Sequence, residues 1–329
     1  MDAISPREAP SAASRRLSGR LGGAIAGNAY LLLAFTMLCW GGNAVASRMA
    51  VGVLSPMVLV SVRWLVVVVI LAVVARRQLA ADWPLLRRRL PWIQTIGKAG
   101  EWGMGALGFT AFNALFYLAA HSTTAVNLGI VQGAIPVFVL LGALLMHRTP
   151  IAGVQVAGIL VTLLGVVVVA TRGDLETLLK LTFAHGDLIM IGACLLYSGY
   201  TLNLRKRPAV SGLGFFCGLA LAAFVTTLPL VAIEIAAGED LWPTTWQGVA
   251  IILYVALFPS FLAQISFMRG VALIGAGRAG IFINLVPVFA AVLAVLILGE
   301  AFELFHAAAL ALVLGGIYLA ERGKRAPAA

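Results

Sequence analysis

Charge is scarce in this chain. Only 11% of its 329 residues are Asp, Glu, Lys or Arg, and acidic side chains number 13, too little polar material to coat a soluble domain of this length. Cysteine is nearly absent, and Cys39, Cys194 and Cys217 all fall in apolar stretches, where they read as packing residues and not as disulfide or metal partners. The sequence contains no phosphate-cradling loop ending in Gly-Lys-Ser/Thr, no His-Glu-x-x-His and no paired Cys ligands. An ATP-driven pump or an intramembrane metalloenzyme would need such groups, so no metal or cofactor is expected.

Apolar length is what the chain has in excess. Hydrophobic residues make up 61% of it, the mean hydropathy is +1.01, and ten stretches are each long enough to cross a bilayer. They lie near 28–48, 56–75, 99–120, 123–146, 150–170, 187–204, 212–236, 246–268, 275–298 and 303–321. The expected architecture is an all-α integral membrane protein, and the net charge of +10 reports orientation and not nucleic-acid binding. With both termini cytoplasmic, 19 of 23 Lys and Arg lie inside, including Arg7, Arg15, Arg16, Arg20, the cluster from Arg76 to Lys98, Arg205 to Arg207 and the C-terminal group. Arg48, Arg172 and Lys180 lie outside, and Arg63 lies within the second stretch. Arg15-Arg16 with Ala44-Val45-Ala46 imitates a signal peptide, but the run is longer than a signal core and carries a polar stripe.

Shifting the chain by 151 positions brings Phe116 onto Phe267, Gly129-Ile130 onto Gly280-Ile281 and Pro136-Val137-Phe138 onto Pro287-Val288-Phe289, with nine identities in 36 positions. A five-stretch unit repeated once must cross the membrane in opposite senses. The predicted organisation is a tail at 1–27, a first repeat at 28–170, a periplasmic connector at 171–186, a second repeat at 187–321 and a tail at 322–329. Inverted repeats of this kind point to alternating-access transport, with the substrate near midplane.

Candidate site residues follow from polarity inside the stretches. Thr36, Trp40, Asn43 and Ser47 share one face of the first, as cavity wall or helix seam. Trp102, Phe109, Asn113 and Phe116 fall in one wedge of the third with Tyr117 beside it; Tyr254, Phe258 and Phe261 share a face of the eighth with Gln264 at its margin, and the sixth offers Tyr197 and Tyr200. Such stripes serve packing or a pocket. Pro136 and Pro287 should each free a carbonyl four residues back, those of Gln132 and Ile283, beside Gln132-Gly133 and Asn284, giving a packed kink or a substrate-lining hinge. Arg63, deep in its stretch, either bridges backbone carbonyls or attracts an anionic group such as an α-carboxylate. No Asp or Glu stands at midplane: Glu101, Asp187 and Glu234 lie at stretch ends, so direct proton coupling finds no support.

Trp40-Gly41-Gly42-Asn43, Arg63, Tyr117-Leu118 through Pro136, Gly186-Asp187, and Pro287 followed by Gly299-Glu300 together resemble the drug/metabolite transporter superfamily, in its ten-helix EamA branch and most like its YddG-type amino acid exporters. The resemblance spans about residues 28 to 321 and departs at Met146-His147-Arg148-Thr149, where the family carries a Gly-Glu-like end. It implies ten transmembrane helices as two inverted five-helix repeats, with the first, third, fourth, sixth, eighth and ninth around a cavity and the fifth and tenth peripheral. It further implies a bacterial inner-membrane exporter of neutral or aromatic amino acids. The substrate-binding set would be Trp40, Asn43, Arg63, Trp102, Asn113, Tyr117, Gln132, Tyr197, Tyr200, Tyr254, Gln264 and Asn284, hinged at Pro136 and Pro287. The rivals are an exporter of other metabolites or drugs, a phosphate-bearing metabolite antiporter, for which one buried cation is few, and a membrane receptor or scaffold. The partners expected are a small molecule and the lipid bilayer, with no nucleic acid.

Overall fold

Helices account for nearly all of the described chain, and the sequence chemistry at their ends explains where they begin. The computed structural model describes residues 28–94, 105–148, 152–174, 176, 184–203, 210–238, 241–274, 279 and 282–322; of 88–94, Leu107, His147 and Glu321 it describes the backbone. Helix α1 spans Ala29–Ala50, and the Asn28 side chain caps it by accepting from the Tyr30 and Leu31 N–H at 3.0 and 3.2 Å. Helix α2 (Pro56–Val74) starts on a proline, whose missing N–H would have no helical partner there. Next come α3 (Arg76–Gln94) and a π-helical segment, Ala106–Ala111, running into α4 (Phe112–Ala119). Thr124 caps α5 (Ala125–Gly133), which breaks at Ala134 into α6 (Ile135–His147). Helices α7 (Gly153–Ala170), α8 (His185–Asn203) and α9 (Gly212–Ala236, capped by Ser211 and continuous through Pro229) follow.

The last part is more broken. Helix α10 (Trp246–Val255) passes through a second π-helical segment, Ala256–Leu262, into α11 (Ala263–Ile274). A 3₁₀ turn at Ile283–Leu285 opens α12 (Val286–Leu293), which ends in a third π-helical segment, Ala294–Leu298, before α13 (Leu304–Arg322).

Among the described residues six helices are long and apolar enough to cross a membrane, and shorter apolar helices lie at Gly108–Ala119, Ile283–Leu298 and Leu304–Ala320. The chain is a multi-pass membrane protein. Its outer faces carry exposed Leu160, Leu164, Val69 and Val73, as a lipid-facing surface should. Inside, α1 packs on α11 and α12, α2 on α9, α4 on α8, and α5 on α12. Helices α7 and α13 form a tight pair in which Gly158 meets Ala320 and Gly316 while Gly165 meets Val313 and Ala309, so they run antiparallel. A Cβ at Gly158 would lie 2.5 Å from the Gly316 carbonyl oxygen; small residues let apolar helices approach where no hydrophobic drive separates helix from lipid.

The basic segment between the second and third apolar stretches is no loop: it is helical through Arg76–Gln94. Leu79, Asp82 and Leu86 share one face; Leu86 is buried, and the Asp82 carboxylate accepts from the Ser211 hydroxyl and N–H at the start of α9. The high density of arginines hid an amphipathic helix docked on α9.

Candidate substrate cavity

A cavity of about 670 Å³ lies among α1, α2, α4, α5, α6, α8, α9, the Ala256–Leu262 segment, α11 and the ends of α12 and α13. That volume suits a metabolite of amino-acid size. Its walls are mostly apolar or aromatic, including Trp40, Trp64, Phe109, Phe112, Tyr197, Phe216 and Phe267. Lining residues such as Ala143 of α6, Leu202 of α8 and Ala320 of α13 lie near the ends of their helices, so the cavity reaches the end of the molecule where α3 docks on α9.

Arg63 stands at its deep end, 95% buried. Its Nε donates to the Ser260 hydroxyl, and its Nη1 donates to Asn113 Oδ1 at 2.8 Å and to the Tyr117 hydroxyl at 2.7 Å. The Tyr117 hydroxyl in turn donates to Asn43 Oδ1 at 3.0 Å, and Asn113 Nδ2 to the Phe109 carbonyl at 2.6 Å. The guanidinium carbon sits 5.0 Å from the Trp64 ring centre and 6.0 Å from that of Tyr117. Every one of these partners is neutral. Four sequence-distant elements, α1, α2, α4 and the Ala256–Leu262 segment, thus meet on one cation that no carboxylate neutralises among the described residues.

Ser260 is the partner that sequence reasoning passed over. It follows Pro259 in the π-helical segment, and a π-helical turn carries more residues per turn than an α-turn. Ser260 therefore bonds the Val255 carbonyl five residues back and presents its oxygen to Arg63. The same slip reorders the aromatic stripe. Tyr254 stacks on Phe258, ring centres 5.4 Å apart, and neither lines the cavity, whereas Gln264 does.

The remaining expected residues divide. Trp40, Asn43, Arg63, Asn113, Gln132, Pro136, Tyr197 and Gln264 line the cavity. Tyr117 lies behind Arg63, and Tyr200 behind Phe109 and Tyr197. Asn284 and Pro287 do not line it; Pro287 packs beside Gly133. Trp102 lies outside the described residues. The seam and wall readings of α1 both hold in part: Trp40 lines the cavity while its Nε1 donates to the Pro259 carbonyl at 3.1 Å, and Thr36 bonds the Ala263 carbonyl at 3.2 Å. The carbonyls expected to be free behind the two prolines are engaged. The Ala134 N–H turns to those of Gln132 and Val131, and the Val286 N–H to that of Ile283, because the chain tightens where proline withholds its donor. The tenth stretch is not peripheral to the cavity, since Ile317 and Ala320 line it, and neither are the second and seventh, which supply Arg63, Trp64 and Phe216.

The model of the EamA-like transporter family matches residues 27–171 and 184–321. The chain belongs to that family. This EamA-like protein is 26% identical over 229 residues to the uncharacterized transporter YyaM of Bacillus subtilis (strain 168), covering 68% of this chain and 73% of that one. It is 27% identical over 298 residues to an uncharacterized transporter of Archaeoglobus fulgidus, covering 88% and 96%. A solved structure titled only as the crystal structure of a protein superposes with a TM-score of 0.60 at 20% identity, over 91% of this chain and 99% of that one, and so shares the fold.

In this EamA-like chain carboxylates join neighbouring helices at the end opposite the cavity's reach. Glu300 accepts from the Ala125 and Val126 N–H at 2.9 and 3.0 Å, capping α5, and lies 4.0 Å from Arg48 Nε. Arg48 also donates to the Ala120 carbonyl. Glu234 caps α2 through the Met57 and Val58 N–H at 3.1 to 3.2 Å, and the fully buried Asp187 accepts from Thr123 and Asn127. Carboxylates at helix N-termini gain from the dipole there. The sequence signal was present in Gly299-Glu300 and Gly186-Asp187, but a carboxylate at a stretch end says nothing of which distant helix it caps.

Proposed function

We propose that this transporter exports small amphipathic metabolites bearing a carboxylate, neutral or aromatic amino acids among them, by alternating access across a bacterial inner membrane. The observation that carries this reading is Arg63: a buried guanidinium lining an apolar cavity, held by Ser260, Asn113 and Tyr117, with no anion of its own among the described residues. An uncompensated charge in a bilayer protein is costly and marks a substrate path. A phosphate-bearing substrate would bring at least two charges to this one cation, which disfavours the antiporter reading.

The binding set is Trp40, Asn43, Arg63, Asn113, Gln132, Tyr197 and Gln264, supported by Tyr117, Tyr200 and Tyr254, with Asn284 and Trp102 kept from the sequence. Two five-helix units at 28–170 and 187–321 are favoured by recurrences at the 151-residue shift. The α5–α6 break at Ala134 corresponds to the turn at Leu285 before Pro287, and the π-helical segment Ala106–Ala111 to Ala256–Leu262. Pro136 and Pro287 would be the hinges. With the termini cytoplasmic, the cavity faces inward and the Glu300 end is the closed outer side.

The test is flux from proteoliposomes loaded with labelled amino acids and small carboxylates. We expect saturable efflux by the wild-type protein and loss of it in Arg63→Gln at equal expression and folding. Efflux unchanged in Arg63→Gln would overturn the reading.

A further inference from the structure

We infer that the cavity reads one negative charge and no positive one, so that its preferred ligand is a small monocarboxylic acid with an apolar or aromatic body, and an α-ammonium weakens binding. This rests on the reading of Arg63 as the carboxylate's partner.

Among the described lining residues Arg63 alone is ionised; the lining holds no Asp, Glu, Lys or His. The hydrogen-bond acceptors that Arg63 already has are a serine hydroxyl, an amide oxygen and a phenol. None of them lowers the net charge of the site. A monocarboxylate brings that charge to zero, whereas a zwitterion leaves it at one and must also strip the water from an ammonium that finds no ionised partner. Burying a charge without a counter-charge is the larger cost.

Aromatic faces attract an ammonium more weakly than an ionised partner does, and the lining rings already pair with one another or with Arg63. Trp64 meets the Arg63 guanidinium and stacks on Phe109 at 4.7 Å with 12° between the planes. Phe112 pairs with Tyr197 at 4.9 Å, and Trp40 with Phe267 at 5.3 Å. Among the described lining residues two polar atoms lack a partner: Trp64 Nε1, a buried donor, and Gln132 Oε1, a buried acceptor. Gln132 Oε1 would take one neutral hydrogen bond from a hydroxyl or N–H of the ligand, which adds a contact without adding a counter-charge.

The test is equilibrium binding to purified protein in detergent, so that permeation of uncharged acid through lipid plays no part. Two matched sets are compared: phenylalanine, 3-phenylpropionate and phenethylamine, then leucine, 4-methylpentanoate and isoamylamine. We expect the acids to bind at least about tenfold more tightly than the amino acids, the amines not at all, and acid binding to be lost in Arg63→Gln. Gln132→Glu, which places a carboxylate in the lining, should narrow or reverse the preference for acid over amino acid. If the amino acids bind more tightly than their acids, the inference is wrong while Arg63 keeps its proposed role. If that order reverses in Glu101→Gln, the ammonium has a partner there, which also overturns it. Binding of none of the acids or amino acids, or binding indifferent to Arg63→Gln, would overturn both this inference and the proposed function.

Discussion

Arg148 and Gly299, 151 positions apart, both end their helices in the left-handed conformation, at φ of 48° and 67°. Glycine adopts this conformation freely, but for an arginine the Cβ crowds the following carbonyl and costs roughly 1 kcal/mol or more. The sequence departure at Met146-His147-Arg148-Thr149 therefore changes the residue and keeps the backbone shape. Arg148→Gly should raise the unfolding midpoint of the purified protein by about 2 °C, and Gly299→Arg should lower it. A lower midpoint in Arg148→Gly would mean that the side chain makes contacts worth more than the strain.

Arg63 holds its partners through the planar fork of the guanidinium, with Ser260 on Nε and both Asn113 and Tyr117 on Nη1. A lysine keeps the charge but carries one compact ammonium, which cannot reach both sides. Arg63→Lys should stay folded and lose about tenfold or more in transport rate, while Tyr117→Phe, which removes one acceptor and the link to Asn43, should lose less. Flux assays on both variants check the order; equal losses would show that only charge matters at this position.

How much of this was legible beforehand differs from residue to residue, for physical reasons. Arg63 stood out because a charge inside an apolar run is rare and expensive, and Pro136 because a ring without an N–H must break the ladder. Both are properties of a single position. A 3.6-residue period carried through Ala256–Leu262 puts Tyr254 in the cavity, but the helix is π-helical there and the phase slips. Ser260 was invisible for the same reason. The engaged carbonyls of Gln132 and Ile283 show a second limit: proline fixes which bond is lost, but the local turn decides what replaces it.

Glycines in the first stretch belong with the legible features, and their reason is now specific. A Cβ at Gly42 would run into the Tyr254 hydroxyl, with the ring carbon that bears it 3.4 Å away. Gly42→Ala should therefore destabilise the protein by about 1–3 kcal/mol through overpacking. Tyr254→Phe, which removes the clashing oxygen and keeps the ring, should restore most of it. The two changes lie in contact, so their effects should be strongly non-additive when midpoints of the single and double variants are compared. Additive losses would mean that the strain lies elsewhere, against Leu293.

Glu300 makes the connection whose release the proposed cycle requires. It reaches from the segment between α12 and α13 to the first two N–H groups of α5, with Arg48 of α1 alongside, so one carboxylate joins both halves of the chain at the closed end. Glu300→Ala removes both acceptors and the partner of Arg48, at a cost of about 1–2 kcal/mol for a lost helix cap; Glu300→Gln keeps one acceptor and should cost less. If this contact holds the outer end shut, that loss increases its open population by roughly 5-fold to 30-fold. A cysteine placed at Ser47, which is 2% exposed in α1, in a background with Cys39, Cys194 and Cys217 replaced by Ala, reads this directly. It should react with a membrane-impermeant thiol reagent from outside faster in Glu300→Ala than in Glu300→Gln, and slowest with Glu300 intact. Equal labelling rates in all three would show that the outer closure rests on the surrounding apolar packing and that Glu300 caps α5 without gating it.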